Sequence, residues 1–127
     1  MKKILIVDDS LFMRKVLGDL FSEEYEILEA DSGETALAKV EEENPDLVLL
    51  DIIMPGGEEE GTGVLKALTK AHPHLPVIMI TAVGQSAMVD RCMELGAADY
   101  VVKPFDEQVV LQAVDKQLAA TPAAADL

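Results

Sequence analysis

The chain of 127 residues holds one cysteine, no tryptophan and few other aromatics, two tyrosines and three phenylalanines. The lone Cys92 excludes an internal disulfide and fits a reducing compartment. With hydrophobic residues at 50% and aromatics at 4%, aliphatic side chains must build the core. Basic residues are scarce as well: 10 lysines and arginines stand against 24 acids, a formal charge of −14. That balance argues against direct nucleic-acid binding, which needs a basic face, and against anionic membrane surfaces. It suits a protein that binds cations or basic partners. Long apolar runs are missing too. The amino-terminal run Ile4-Leu5-Ile6-Val7 stops at Asp8-Asp9, far short of a signal-peptide core or a membrane span, so a cytoplasmic protein is expected. There is no internal repeat, no low-complexity segment and no dividing linker, and the length suits one domain with a real core.

What the chain does have is a set of short apolar runs that end in polar residues. Leu47-Val48-Leu49-Leu50 leads straight into Asp51, and Pro55 follows. An unbroken run of this length reads as a strand buried on both faces of a parallel sheet, and Pro55 cannot extend its ladder. Ile4 to Val7, Tyr25 to Ala30, Val77 to Ile80 and Tyr100 to Val102 read as four more strands. Helical spacing lies between them. Leu11 to Phe21 follows a cap at Asp9 or Ser10, with Met13, Val16, Leu17 and Leu20 on one face. Ser32 caps a helix to about Glu43, with Ala36, Leu37 and Val40 inward. Thr62 to about Lys70 and Gln85 to Leu95 continue the alternation, the latter with Met88, Cys92 and Leu95 aligned and Gly96 as its C-cap. Asp106 caps the last helix, which runs to about Ala119 with Val110, Val114 and Leu118 together. Gly56 to Gly61 reads as a flexible acidic loop. Residues 1–120 then form the domain and 121–127 a flexible tail. Five strands alternating with five helices through short connections predict an α/β fold, one parallel sheet with helices on both faces.

In a parallel sheet all carboxyl ends of strands share one edge, where ligands bind in open α/β folds. That edge would gather Asp8, Asp9, Asp51, Thr81 and Lys103. Crowded carboxylates repel each other, and a hard divalent ion with oxygen ligands relieves them. Magnesium takes only one or two carboxylates directly, so one carboxylate oxygen stays free to react. Singly, each acid is explained by helix capping or strand-end solvation. The ordered set is not.

These residues resemble the receiver domain of two-component response regulators, in particular small chemotaxis-type members, over about Lys3 to Leu118. The matching positions are Asp8-Asp9, Asp51 with Met54-Pro55, Thr81-Ala82, Lys103-Pro104 and the aromatic Tyr100. The resemblance implies strand order 2-1-3-4-5 and a flavodoxin-like receiver fold. It implies Asp51 as phosphoacceptor, with Mg2+ held by Asp9 directly, Asp8 mostly through water, Asp51, and the backbone carbonyl of Ile53. Lys103, the Thr81 hydroxyl and the Ala82 N–H would hold the phosphoryl oxygens, and Pro104 would follow a cis peptide. Thr81 and Tyr100 would form the switch, changing the Gln85–Tyr100 surface for a downstream protein target. A histidine kinase or phosphotransfer protein would supply the phosphoryl group. Phosphorylation-dependent dimerisation through the last helix-strand-helix face stays open.

Two departures stand out. The Met-Pro pair is separated from Gly61 by a stretch that looks two residues longer than in the family and adds Glu58, Glu59 and Glu60. This acidic loop is expected to slow phosphorylation by anionic small molecules or to contact a basic partner, unless it is only a solvated surface. Ile53 and Val83, two residues past Asp51 and Thr81, are apolar and cannot orient a water, so a long-lived phosphoryl group is expected. An aspartyl phosphatase or phosphotransferase would need a second acid where Ile53 stands, and a cap. A flavodoxin-like electron carrier would need a Ser/Thr/Gly phosphate loop and stacking aromatics. A receiver that only binds partners would not need the acidic set. A single-domain regulator and a receiver cut from a larger one, with an output domain beyond Leu118, both remain readings of the sequence. His72 and His74 read as surface residues, Cys92 as a core residue.

Overall fold

A computed structural model describes residues 1–119; the expected tail, 121–127, lies outside them. The elements alternate as the apolar runs predict. They are β1 (Lys3–Val7), α1 (Leu11–Phe21), β2 (Glu26–Ala30), α2 (Gly33–Glu43) and β3 (Leu47–Leu50), then α3 (Glu58–Ala71), β4 (Val77–Thr81), α4 (Ser86–Glu94), β5 (Asp99–Val102) and α5 (Glu107–Ala119). All four strand pairings are parallel and the order is β2-β1-β3-β4-β5.

The three central strands are buried on both faces, which is why their sequences are continuous rather than alternating. Pleating still sorts their side chains. Leu5, Val7, Val48, Leu50, Val77 and Met79 face one core, closed by Ala36 and Val40 of α2, Val64, Leu65 and Leu68 of α3, and Cys92 of α4. Ile4, Ile6, Leu47, Leu49, Ile78 and Ile80 face the other, closed by Leu17 and Phe21 of α1 and by Val110, Val114 and Leu118 of α5. Each fully buried aliphatic side chain contributes about 1.5–3 kcal/mol, so these two layers fix the strand register and the shared carboxyl edge.

The caps follow local chemistry. Ser10 accepts the Met13 N–H at the start of α1. Ser32 and Thr35 form a reciprocal capping box on α2. Gly96, at φ +108°, closes α4, with Gly96 N–H donating to Met93 and Ala97 N–H to Cys92. Asp106 accepts the Gln108 N–H at the start of α5.

Two expectations are corrected. The acidic stretch is no flexible loop beyond Gly57: Glu58 to Gly61 form the first turn of α3, where their charges favour the positive end of the helix. Leu37 does not point inward; it is exposed, because Ala36 and Val40 already define the buried stripe of α2. The methionines also divide, Met54 and Met79 being buried and Met1 and Met93 exposed.

Gly61 packs without a side chain directly on the chain that follows β3. A Cβ there would lie 2.2 Å from the carbonyl oxygen of Ile52. Helix α3 therefore rests on the backbone next to Asp51.

Candidate functional site

The sheet carries the polar strand ends to one place. Asp8 continues β1 and donates its N–H to Ala30 O at 3.1 Å; Asp51 continues β3 and donates to Val7 O at 3.0 Å. Lys103 follows β5 and donates its N–H to Thr81 O at 2.8 Å. The peptide between Lys103 and Pro104 is cis.

Asp8 and Asp51 are buried, whereas Asp9 is exposed at the mouth. One ligand oxygen from each of the three lies within 4.8 Å of the others. Lys103 Nζ sits between the two buried acids, donating to Asp8 Oδ2 at 2.7 Å and to Asp51 Oδ2 at 3.0 Å. The other oxygens meet backbone amides: Ser10 N–H donates to Asp8 Oδ1 at 2.9 Å, and Ile53 N–H to Asp51 Oδ1 at 3.2 Å. Burial pushes the Asp8 carboxyl above its usual range, and this outweighs the bonds from Lys103 and Ser10. Burial pulls on Lys103 in the opposite direction, but its bonds to Asp8 and Asp51 win and its pKa is raised. One ammonium is thus shared by two buried carboxylates, with a third, Asp9, close to both. The pocket remains short of positive charge, and its donor set of hard oxygens fits a small divalent cation.

The other wall is built from β4 and the segment after it. Thr81 is fully buried, and its hydroxyl oxygen accepts the Val83 N–H at 3.4 Å. Ala82 is exposed. Tyr100 lies half-buried on β5, and its hydroxyl donates to the Val83 carbonyl. Burial pushes the Tyr100 phenol up to about 12. Ile53 is 45% exposed beside the acidic group, an apolar side chain at the pocket mouth.

Two contributors were missed in reading the sequence. Arg14, on α1, donates to the backbone carbonyl of Asp8 at 2.8 Å and pairs with Glu29 at 2.9 Å, which fixes the chain between the two amino-terminal acids. Nothing in its spacing marks it. Glu60 accepts the N–H of Gly56 and of Gly33. Its place three residues after Gly57 is a capping position, a signal available in the sequence. His72 stays at the surface, pairing with Glu41 at 2.6 Å, and neither histidine joins a metal-ligating group among the described residues. Cys92 is buried in the core.

Comparison with known proteins agrees with this geometry. Residues 4–115 match the model of the response regulator receiver domain. Over 117 residues the chain is 41% identical to chemotaxis protein CheY of Thermotoga maritima, covering 91% of this chain and 96% of that one. It is 41% identical over 118 residues to sporulation initiation phosphotransferase F of Bacillus subtilis, covering 92% and 94%. A CheY-like receiver domain protein from Methanospirillum hungatei superposes with a TM-score of 0.87 at 31% identity, covering 94% of each chain. The chain belongs to the response regulator receiver family. No helix among the described residues is long and apolar enough to cross a membrane.

Proposed function

We propose that this receiver works as a phosphoacceptor switch modified on Asp51, and not as a turnover enzyme. The observation that carries the reading is the single ammonium of Lys103 lodged between Asp8 and Asp51, with Asp9 within ligand distance of both. In the reaction an Asp51 carboxylate oxygen attacks the phosphorus of a phosphohistidine on a histidine kinase or phosphotransfer protein. The P–N bond breaks, its electron pair returns to the imidazole nitrogen, and the new P–O bond makes an acyl phosphate. Lys103 turns its ammonium to a phosphoryl oxygen, and the Thr81 hydroxyl and the Ala82 N–H take the others. Asp9, Asp51 and the Ile53 carbonyl would hold Mg2+, with Asp8 mostly through water, and the ion would supply neutralisation of the negative charge gathered at the site.

The same group sets the switch. A phosphoryl group adds about 1.5 to 2 negative charges. Thr81 moves toward it and takes its hydroxyl from the Val83 N–H. The Val83 carbonyl holds the Tyr100 hydroxyl, so Tyr100 is released or redirected, and the Gln85–Tyr100 surface changes for a cytoplasmic protein target. The name of the sporulation relative, a phosphotransferase, supports a phosphotransfer partner, and the formal charge of −14 favours a protein target over DNA. A phosphorylation-dependent dimer through α4, β5 and α5 is compatible with this surface. The phosphoryl group is long-lived unless a phosphatase partner supplies a polar side chain, because the side chains of Ile53 and Val83 offer no polar atom to orient a water.

The test is the intact mass after incubation with acetyl phosphate and Mg2+. Wild type gains one phosphoryl group and Asp51→Asn gains none. Labelling of another residue, or none in wild type, rejects the reading.

A further inference from the structure

The first turn of α3 carries three adjacent glutamates, and they do different things. Glu58 and Glu59 are exposed. Glu60 turns back: its Oε2 accepts the Gly56 N–H at 2.7 Å and its Oε1 accepts the Gly33 N–H, in the first turn of α2, at 3.1 Å. The two glycines form a cradle for it. A Cβ on Gly56 would lie 2.5 Å from Glu60 Oε2, and one on Gly33 would lie 3.0 Å from Oε1 and 2.7 Å from Val64. The carboxylate also stands at the amino end of α2, where a negative charge is favoured.

The consequence falls on the segment between Asp51 and α3. Gly61 presses on the Ile52 backbone, and Glu60, its neighbour, ties Gly56. Ile53, Met54 and Pro55 are thereby pinned at both ends, with Gly57 N–H closing a turn onto Met54 O at 2.7 Å. Ile53 is the residue whose carbonyl is proposed above as a metal ligand. A ligand carbonyl on a free loop would have to be ordered on each binding event, and that cost weakens affinity. We infer that Glu60 is a positioning residue for the cation site, latching the segment after β3 to α2 so that the Ile53 carbonyl is held ready. The inference rests on the proposed assignment of that carbonyl. What sets Glu60 apart is its pair of hydrogen bonds; negative charge by itself is shared with the exposed Glu58 and Glu59.

The test measures Mg2+ affinity by isothermal titration calorimetry at 25 °C and about 0.15 M salt, where surface charges are largely screened, with no phosphoryl donor. Glu60→Gln keeps the shape but presents an NH2 to one of two N–H donors. Gly56→Ala keeps every charge and displaces the Glu60 carboxylate with its new methyl. Both weaken Mg2+ binding roughly three- to tenfold, within or below the range seen when groups that orient metal ligands are removed. Both slow acetyl phosphate labelling at low Mg2+ and recover at saturating Mg2+. The double variant Glu58→Gln/Glu59→Gln stays within about twofold of wild type, because both side chains are exposed and their charges are screened. If Glu60→Gln and Gly56→Ala bind Mg2+ like wild type and differ only in melting temperature, Glu60 is a helix tie and the inference is wrong. If Gly56→Ala is unaffected while all glutamate variants weaken alike, bulk charge is the cause and the inference is wrong again. If wild type itself binds no Mg2+, the parent reading falls and this one with it.

Discussion

The two walls of the pocket are held in unlike ways. On the β1–β3 side each buried acid is bonded at both oxygens, to Lys103 and to a backbone N–H. Arg14 fixes the Asp8 carbonyl and Gly61 lies on the Ile52 backbone. On the β4 side the Thr81 hydroxyl has a 3.4 Å contact to Val83, and Ala82, Gly84 and Gln85 are exposed. Tyr100 reaches that segment through a single hydroxyl. Charge therefore arrives where the framework is rigid, and the surface that would report it is the loosely held one. Metal and phosphoryl geometry tolerate little displacement, whereas a switch needs two arrangements close in energy.

Removing Lys103 is the harshest way to break that contrast. Lys103→Met leaves three crowded carboxylates with no cation among them. Loss of one partner from a fully buried pair costs 3–5 kcal/mol; with Asp9 exposed and Asp8 able to take a proton, about 2 kcal/mol is expected in EDTA. Millimolar Mg2+ should restore much of it. Urea unfolding with and without Mg2+ reads both values, and an unchanged midpoint in EDTA would mean that the acidic wall is not held by this ammonium. Labelling of Asp51 should fall sharply even at saturating Mg2+, since the phosphoryl oxygens lose their ammonium.

A smaller effect follows from Asp8. Its folded pKa lies above the ordinary 3.8, burial being the main cause. Such a carboxyl favours the folded state fully below 3.8, and that contribution is lost as pH rises through the folded pKa. At neutral pH the ionised Asp8 is thus a liability in the metal-free protein. Asp8→Asn should raise metal-free stability at pH 7 while weakening Mg2+ binding. The gain should shrink as pH falls toward 3.8, where wild-type Asp8 is also neutral. Lys103, whose folded pKa is raised, keeps its contribution below 10.5 and does not change across this window. Thermal melts of the two proteins in EDTA at several pH values isolate Asp8, because the remaining acids are common to both. A gain that is flat with pH would refute the argument.

The same contrast governs what the sequence made legible. The polar residues of the pocket, on both walls, follow apolar runs, so Asp8, Asp9, Asp51, Thr81 and Lys103 could be placed on one edge from strand ends alone. The layers were legible because strand runs and helical periods are local properties. The start of α3 was not: two glycines and three glutamates carry no apolar period before Val64, and the glycines outweighed the helix propensity of glutamate and its preference for a helix amino end. Leu37 was misplaced because four apolar residues in five positions, Ala36, Leu37, Ala38 and Val40, do not fix which neighbours face in. The Glu60 bond to Gly33, the Arg14 pairing with Glu29 and the Tyr100 contact with Val83 join residues of different elements, 27, 15 and 17 positions apart. Only the assembled sheet brings them together.

The smallest expected effect probes the loose wall directly. Tyr100→Phe removes one hydroxyl and leaves the ring, so the Val83 carbonyl loses its protein donor. A neutral hydrogen bond of this kind contributes about 0.5–1.5 kcal/mol, and the lower end applies because the segment is near solvent and water can replace the hydroxyl. Amide exchange should quicken from Val83 through Gln85 and at the start of α4, while the amides of Ser10 and Ile53, bonded to Asp8 and Asp51, keep their protection. Mg2+ affinity should stay unchanged. If exchange quickens on both walls, they form one cooperative unit and the division into a rigid receiving side and a soft reporting side fails. If it quickens on neither, Tyr100 does not restrain the segment after β4, and the route proposed from Thr81 through the Val83 peptide to the α4–β5 surface has lost its last link.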